Sequence, residues 1–129
     1  MFKQLFFLFL FCIACSTSTE VEQGVRDVSV QEAVALLAQD PEIVVLDIRT
    51  AQEFRQGHIV DAVNIDFRGA DFKGSLENLD RQKPYLLHCA SGGRSTRSLA
   101  LFEELRFERI FHLKTGINGW LAAGEPLVK

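Results

Sequence analysis

From residue 25 onward the chain alternates short β-rich runs with segments of helical spacing, and few folds satisfy that alternation. Strands are predicted at Val25–Val28, Ile43–Asp47, Ala62–Ile65, Tyr85–Cys89 and Ile110–Leu113. Between the first two, Ser29 with Glu32 three places on makes a capping box, and Val30, Ala33, Val34 and Leu37 recur at helical spacing until Pro41 closes the exit. AQEFRQG gives a short second helix ended by Gly57, and ADFKGSLENLD a broken third. Ser95 to Leu105 presents Leu99, Phe102 and Leu105 on one face, and GINGWLAAG forms a last helix stopped by Gly124. The expected fold is α/β, a parallel sheet with helices on both faces. The 129 residues suit one domain and leave no room for a second.

The first residues read differently. Lys3 is followed by an apolar run from Leu5 to Ala14 with no polar face, which is the pattern of an export signal spanning residues 1–14. A membrane-spanning helix needs about 20 apolar residues, roughly twice this run. The run ends in CIAC, which resembles a bacterial lipoprotein cleavage box, with Cys12 where that box usually has leucine. The resemblance implies that Cys15 is lipidated and that the protein is exported, periplasmic and anchored to the membrane. Plain cleavage near Ala14 is the alternative. Residues 15–24 then form a small, polar tether, and Ser16 after the cysteine resembles lipoproteins sent to the outer membrane. Net charge is −3, and no lysine or arginine block suggests nucleic acid or a polybasic membrane surface, so small-molecule or protein partners are expected.

Loss of residues 1–14 removes Cys12, and lipid would occupy Cys15, leaving Cys89 as the one free thiol with no disulfide framework. A buried, inert cysteine is the bland reading. The residues after it argue for chemistry. CASGGRS joins a strand to a helix, and Gly92 and Gly93 permit left-handed turns that would aim the amides of Ala90, Ser91, Gly92, Gly93, Arg94 and Ser95 at the sulfur. A helix N-terminus and Arg94 add positive charge, so a thiolate is favoured near neutral pH. Asp47 ends IVVLD as Cys89 ends YLLHC, and if those strands are neighbours both groups should face one crevice.

CASGGRS resembles the active-site loop of the rhodanese family. VVLDIRTAQEFRQGHIVDAVNID (44–66) and TGINGWLAAGEP (115–126) resemble two further family segments, in order and at family spacing. Asp61, Val60 and Thr115 stand where the family usually has glycine, proline and a second glycine. The resemblance implies a five-stranded parallel sheet and a Cys89 persulfide, charged from a small anionic donor such as thiosulfate and discharged to cyanide or a thiol. No cofactor and no metal is expected, and a monomer is. On this reading Arg94 meets the anionic donor, Asp47 and Arg49 support the loops, and Arg49 pairs with Asp47 or Glu53. His88 should turn away from Cys89 by strand alternation. His58 is read as a turn residue, His112 as a strand residue, Trp120 as core and Arg97 as solvated. Phosphatase chemistry fits poorly, because such loops carry arginine six residues after the cysteine and Arg94 is five after Cys89. A catalytically silent binding or redox module of the cell envelope is the other alternative.

Overall fold

The computed structural model describes residues 22–129, so the predicted signal, Cys15 and all but the end of the tether lie outside the described residues. The elements in chain order are β1 (Gly24–Asp27), α1 (Val30–Gln39), β2 (Val44–Asp47), α2 (Ala51–Gln56), β3 (Val63–Asn64), α3 (Phe72–Glu77), β4 (Pro84–His88), α4 (Gly93–Glu104), β5 (Arg109–His112) and α5 (Gly116–Ala122). All strands are parallel, in the order β1-β5-β4-β2-β3. This is the five-stranded α/β sheet that the alternation predicts.

The sheet is covered on both sides, and β4 at its centre is buried throughout. On one face Val45 and Leu86 pack with Val30, Ala33, Val34 and Leu37 of α1 and with Ile117 and Trp120 of α5. On the other, Leu46, Tyr85, Leu87 and Cys89 pack with Leu76 of α3 and with Leu99, Phe102 and Leu105 around α4. Alternate residues of one strand therefore enter different cores. The expected capping box forms, Ser29 with Glu32 opening α1, and a second one not expected from the sequence, Thr50 with Glu53, opens α2.

Three local differences have physical causes. β3 is two residues long rather than four. The Asn64 side-chain amide donates to the carbonyls of Asp47 and Arg49, each at 2.9 Å, and the Ile65 and Phe67 N–H groups donate to the carbonyls of Asp47 and Ile48, so the connection stays bonded beyond the short strand. The third helix is one short turn-and-a-half capped by Asp71, which accepts from the Gly74 N–H at 3.0 Å. Asp61, standing at a glycine position of the resemblance, has φ of 60°. Left-handed backbone is the reason for glycine at such a position, and aspartate is among the residues that tolerate it.

Candidate active site

In parallel α/β sheets the crevice for ligands opens where the chain's path reverses direction across the sheet. Here β2 leads outward to β3 and β4 leads the other way to β5, so the reversal lies between β2 and β4. Cys89 is the residue after β4, at its carboxyl end. The chain then turns back over the sulfur: Gly92 takes φ of 99°, and its N–H donates to Cys89 Sγ at 3.1 Å. The Ser95 N–H reaches the same sulfur at 3.5 Å, and Ser95 Oγ lies 3.4 Å from it. A second loop holds the first. The Ile117 N–H donates to the Cys89 carbonyl at 2.9 Å and the Asn118 N–H to the Ala90 carbonyl at 3.0 Å. Gly116, at φ of 61°, lies so close to the Cys89 and Ala90 carbonyls that a Cβ would collide with them.

Burial pushes the Cys89 thiol up, but hydrogen bonds from the Ser95 hydroxyl and from the backbone of Ser95, Gly92 and Arg94 outweigh it. The thiol therefore ionises below its ordinary value. That is the condition for a nucleophilic sulfur. Access is narrow, since Cys89 is 1 % exposed.

The predicted site residues distribute unevenly around this sulfur. Of the six loop residues, the Gly92 and Ser95 amides donate to it at 3.1 and 3.5 Å, and the Arg94 backbone adds to their pull. Ser91 is exposed, and Ala90 engages the second loop through its carbonyl. Gly93 is the first residue of α4 and needs no left-handed conformation, so the helix begins two residues before the predicted Ser95. Asp47 does not share a crevice with Cys89. It stands in register with His88, and paired residues of neighbouring parallel strands point to the same face, so Asp47 and Cys89 lie on opposite faces. Asp47 is fully buried and holds Arg49 through Nε and Nη2, the latter at 2.7 Å, while Arg49 also donates to the Gly57 carbonyl at 2.8 Å. This pair ties the end of β2 to the end of α2. His88 is buried beside Asp47, with Nδ1 against the Cys89 carbonyl at 2.9 Å. Burial keeps its pKa below the ordinary value despite the carboxylate, so it is a neutral packing residue.

Arg94 departs furthest from expectation. Its Nη1 and Nη2 donate to Glu53 at 2.8 and 2.9 Å in a two-pronged ion pair, so its charge is committed within the protein. Of the two partners expected for Arg49, Asp47 takes that role and Glu53 pairs with Arg94 instead. The hydrogen bond from Arg94 lowers the Glu53 carboxyl to about 2 despite partial burial, with help from the Thr50 backbone. His112 also does more than fill a strand: its Nε2 lies 2.8 Å from Ser95 Oγ and its Nδ1 2.9 Å from Asp27 Oδ1. The sequence signal for that pair is weak, because its members are 85 residues apart. His58 stacks on Phe54 at 3.8 Å between ring centres, Trp120 is buried with Nε1 donating to the Pro126 carbonyl, and Arg97 is exposed.

Comparison with known proteins places the fold in one family. Residues 29–123 match the family described as the rhodanese-like domain. A sulfurtransferase of Allochromatium vinosum is 26% identical over 104 residues, covering 81% of this chain and 95% of that protein. The thiosulfate sulfurtransferase GlpE of Pseudomonas entomophila is 32% identical over 96 residues, covering 74% of this chain and 84% of that protein. Among solved structures, a rhodanese-related protein of Thermoplasma volcanium superposes with a TM-score of 0.71 at 26% identity, covering 80% of this chain and 97% of that one. With a cysteine held by converging amides at the reversal point of a five-stranded parallel sheet, the chain belongs to the rhodanese-like domain family.

Proposed function

We propose that this protein is a thiosulfate-type sulfurtransferase that carries sulfane sulfur on Cys89. One observation supports it most: the Gly92 and Ser95 amides and the Ser95 hydroxyl converge on one sulfur and lower its pKa. The Cys89 thiolate attacks the outer sulfur of thiosulfate, the thiosulfate S–S bond breaks, and its electron pair leaves with sulfite. A cysteine persulfide remains. Cyanide or a thiol then attacks the outer sulfur, and the released pair restores the Cys89 thiolate. The same loop donors that hold the thiolate hold the charge of the persulfide, in the manner of an oxyanion hole. Among the described residues Cys89 is the one cysteine; with Cys12 removed and Cys15 lipidated, as proposed below, the acceptor comes from outside.

Intact mass after incubation with thiosulfate should show one added sulfur atom, removed by cyanide as thiocyanate. Cys89→Ser should show neither, because a serine hydroxyl does not ionise in such a loop. Turnover by the serine variant, or no sulfur gain by the parent, would sink the assignment. A catalytically silent binding or redox module is the second reading, favoured by the 1 % exposure of Cys89. The absence of sulfur gain by an intact, folded parent is its signature.

We also propose that the domain works as a monomer tethered to the periplasmic side of a bacterial membrane through lipid on Cys15. The basis is the apolar run ending at Ala14 and the polar stretch after Cys15. Fractionation should find the parent in the membrane and Cys15→Ala in the soluble fraction. A soluble parent, or an equally membrane-bound variant, would refute the anchor.

A further inference from the structure

A hydrogen-bonded chain reaches the reactive sulfur from the first and last strands. Asp27 closes β1 and His112 closes β5, and the parallel register sets them side by side. Asp27 Oδ1 lies 2.9 Å from His112 Nδ1, His112 Nε2 lies 2.8 Å from Ser95 Oγ, and Ser95 Oγ lies 3.4 Å from Cys89 Sγ. Ser95 is wholly buried and His112 is 1 % exposed, whereas the Asp27 side chain is 53% exposed. The chain thus connects an enclosed sulfur to a carboxylate in contact with solvent.

A hydroxyl has one proton and two lone pairs, so Ser95 cannot serve every neighbour at once. With both His112 nitrogens protonated, Nδ1–H donates to Asp27 and Nε2–H to Ser95 Oγ, and the Ser95 proton is free to point at the sulfur. With His112 neutral and its proton kept on Nδ1 by Asp27, bare Nε2 draws the Ser95 proton to itself. The sulfur then faces oxygen lone pairs, which suit a thiol and repel a thiolate. The Gly92 carbonyl, 3.2 Å from Ser95 Oγ, is a more distant competitor. The three residues have the connectivity of a Ser-His-Asp triad, but Ser95 is wholly buried and the sulfur stands next to it. Its hydroxyl is a conduit and not a nucleophile.

We propose that the His112–Asp27 pair takes up the Cys89 proton through the Ser95 hydroxyl. The S–H proton passes to Ser95 Oγ as the Ser95 proton passes to His112 Nε2. Thiol and imidazole become thiolate and imidazolium, with no electrons exchanged. Asp27 and His112 act through Ser95, so they are positioning residues. The titratable and charged groups that meet the relay are Asp27 from β1, Cys89 from the end of β4, and Lys114 after β5, whose Nζ is 3.6 Å from Asp27 Oδ2. From α4 the contact is Ser95, which is not charged. The hydrogen bond from His112 also holds the Asp27 carboxyl below its ordinary value, so it remains an anion able to hold an imidazolium.

The inference rests on Cys89 working as a thiolate, and not on which sulfur compound it meets. It is tested on the full chain by alkylation with iodoacetamide across a pH series, read at the Cys89 peptide by mass spectrometry. The midpoint read from alkylation belongs to the coupled site and not to the Cys89 thiol alone. His112→Phe should raise that midpoint by about one pH unit, which slows alkylation about tenfold below it. Asp27→Asn should raise it in the same direction by less. In a Ser95→Ala background, His112→Phe should add no further shift. An unchanged midpoint in His112→Phe, or an undiminished shift without the Ser95 hydroxyl, would overturn the relay. If His112→Phe does not fold, Asp27→Asn at its half-exposed position decides, and the parent's midpoint there would overturn the relay equally. Alkylation needs no sulfur donor, so failure to gain sulfur from thiosulfate would defeat the proposed function and leave this result standing.

Discussion

The charge balance around Cys89 is set by Glu53 as much as by Arg94. Both terminal guanidinium nitrogens of Arg94 are engaged by that carboxylate, so the anionic donor of the proposed reaction would meet a nearly neutral pair. Glu53→Gln should release the guanidinium while keeping the capping contacts to Thr50, since glutamine also serves in a capping box. We expect the KM for thiosulfate to fall by about two- to fivefold, the order of an ion pair only partly open to solvent. A KM that rises or stays put would mean that Arg94 clamps the loop and never meets the donor. The same variant has a pH signature. Glu53 titrates at about 2 when folded against an ordinary 4.5, so its contribution to stability is complete above pH 4.5 and disappears as the pH falls toward 2. Acid titration of the parent should show that loss, and Glu53→Gln should lack it. At this scale the string CASGGRS reveals Cys89, Gly92 and Ser95, because strand, turn and helix start are contiguous there. Glu53 lies 41 residues from Arg94, and Asp27 lies 85 from His112. Those pairings depend on strand order and register, which no local pattern contains.

Where elements meet, two loops with left-handed glycines pack against each other at the carboxyl edge of the sheet. The loop from β4 to α4 places Gly92 against the Lys114 carbonyl, and the loop from β5 to α5 places Gly116 against the Cys89 and Ala90 carbonyls. Gly92→Ala would put a Cβ into the Lys114 carbonyl at φ of 99°. Backbone strain alone should cost about 1–3 kcal/mol, with the collision in addition. Denaturant titration measures it, and a variant as stable as the parent would show that this contact does not hold the loop. The alkylation rate of Cys89 should change as well, because the Gly92 N–H is one of its donors. Much of the element order is readable beforehand, since the capping box at Ser29 and the exit at Gly57 are written within a few residues. The faces are harder to read. Asp47 and Cys89 both end strands, and only the register Asp47↔His88 reveals that one residue of offset sends them to opposite sides. Nor does a local pattern show that the Asn64 side chain bonds to the Asp47 and Arg49 carbonyls beside the short β3.

Across the molecule, the two cores are separated by the sheet and joined by β4, whose Leu86 belongs to one and Leu87 to the other. Neither core is independent of that strand. Cys89 continues the Leu87 side, while the loop that pins its carbonyl leads into α5, which packs on the Leu86 side. The sulfur site therefore draws on both cores, and the domain should unfold in one transition rather than face by face. Trp120, the chain's one tryptophan, reports on the Leu86 side, where it is 5 % exposed. Leu87→Ala removes wholly buried apolar volume from the other side and should cost about 2–5 kcal/mol. In a single cooperative unit, that loss shifts the Trp120 fluorescence transition as far as it shifts backbone circular dichroism, and Leu86→Ala shifts both in the same way. If Leu87→Ala leaves the fluorescence transition where it was while part of the dichroism melts early, the faces unfold separately. The loop around Cys89 would then lose its support on one side while α5 stayed packed on the other.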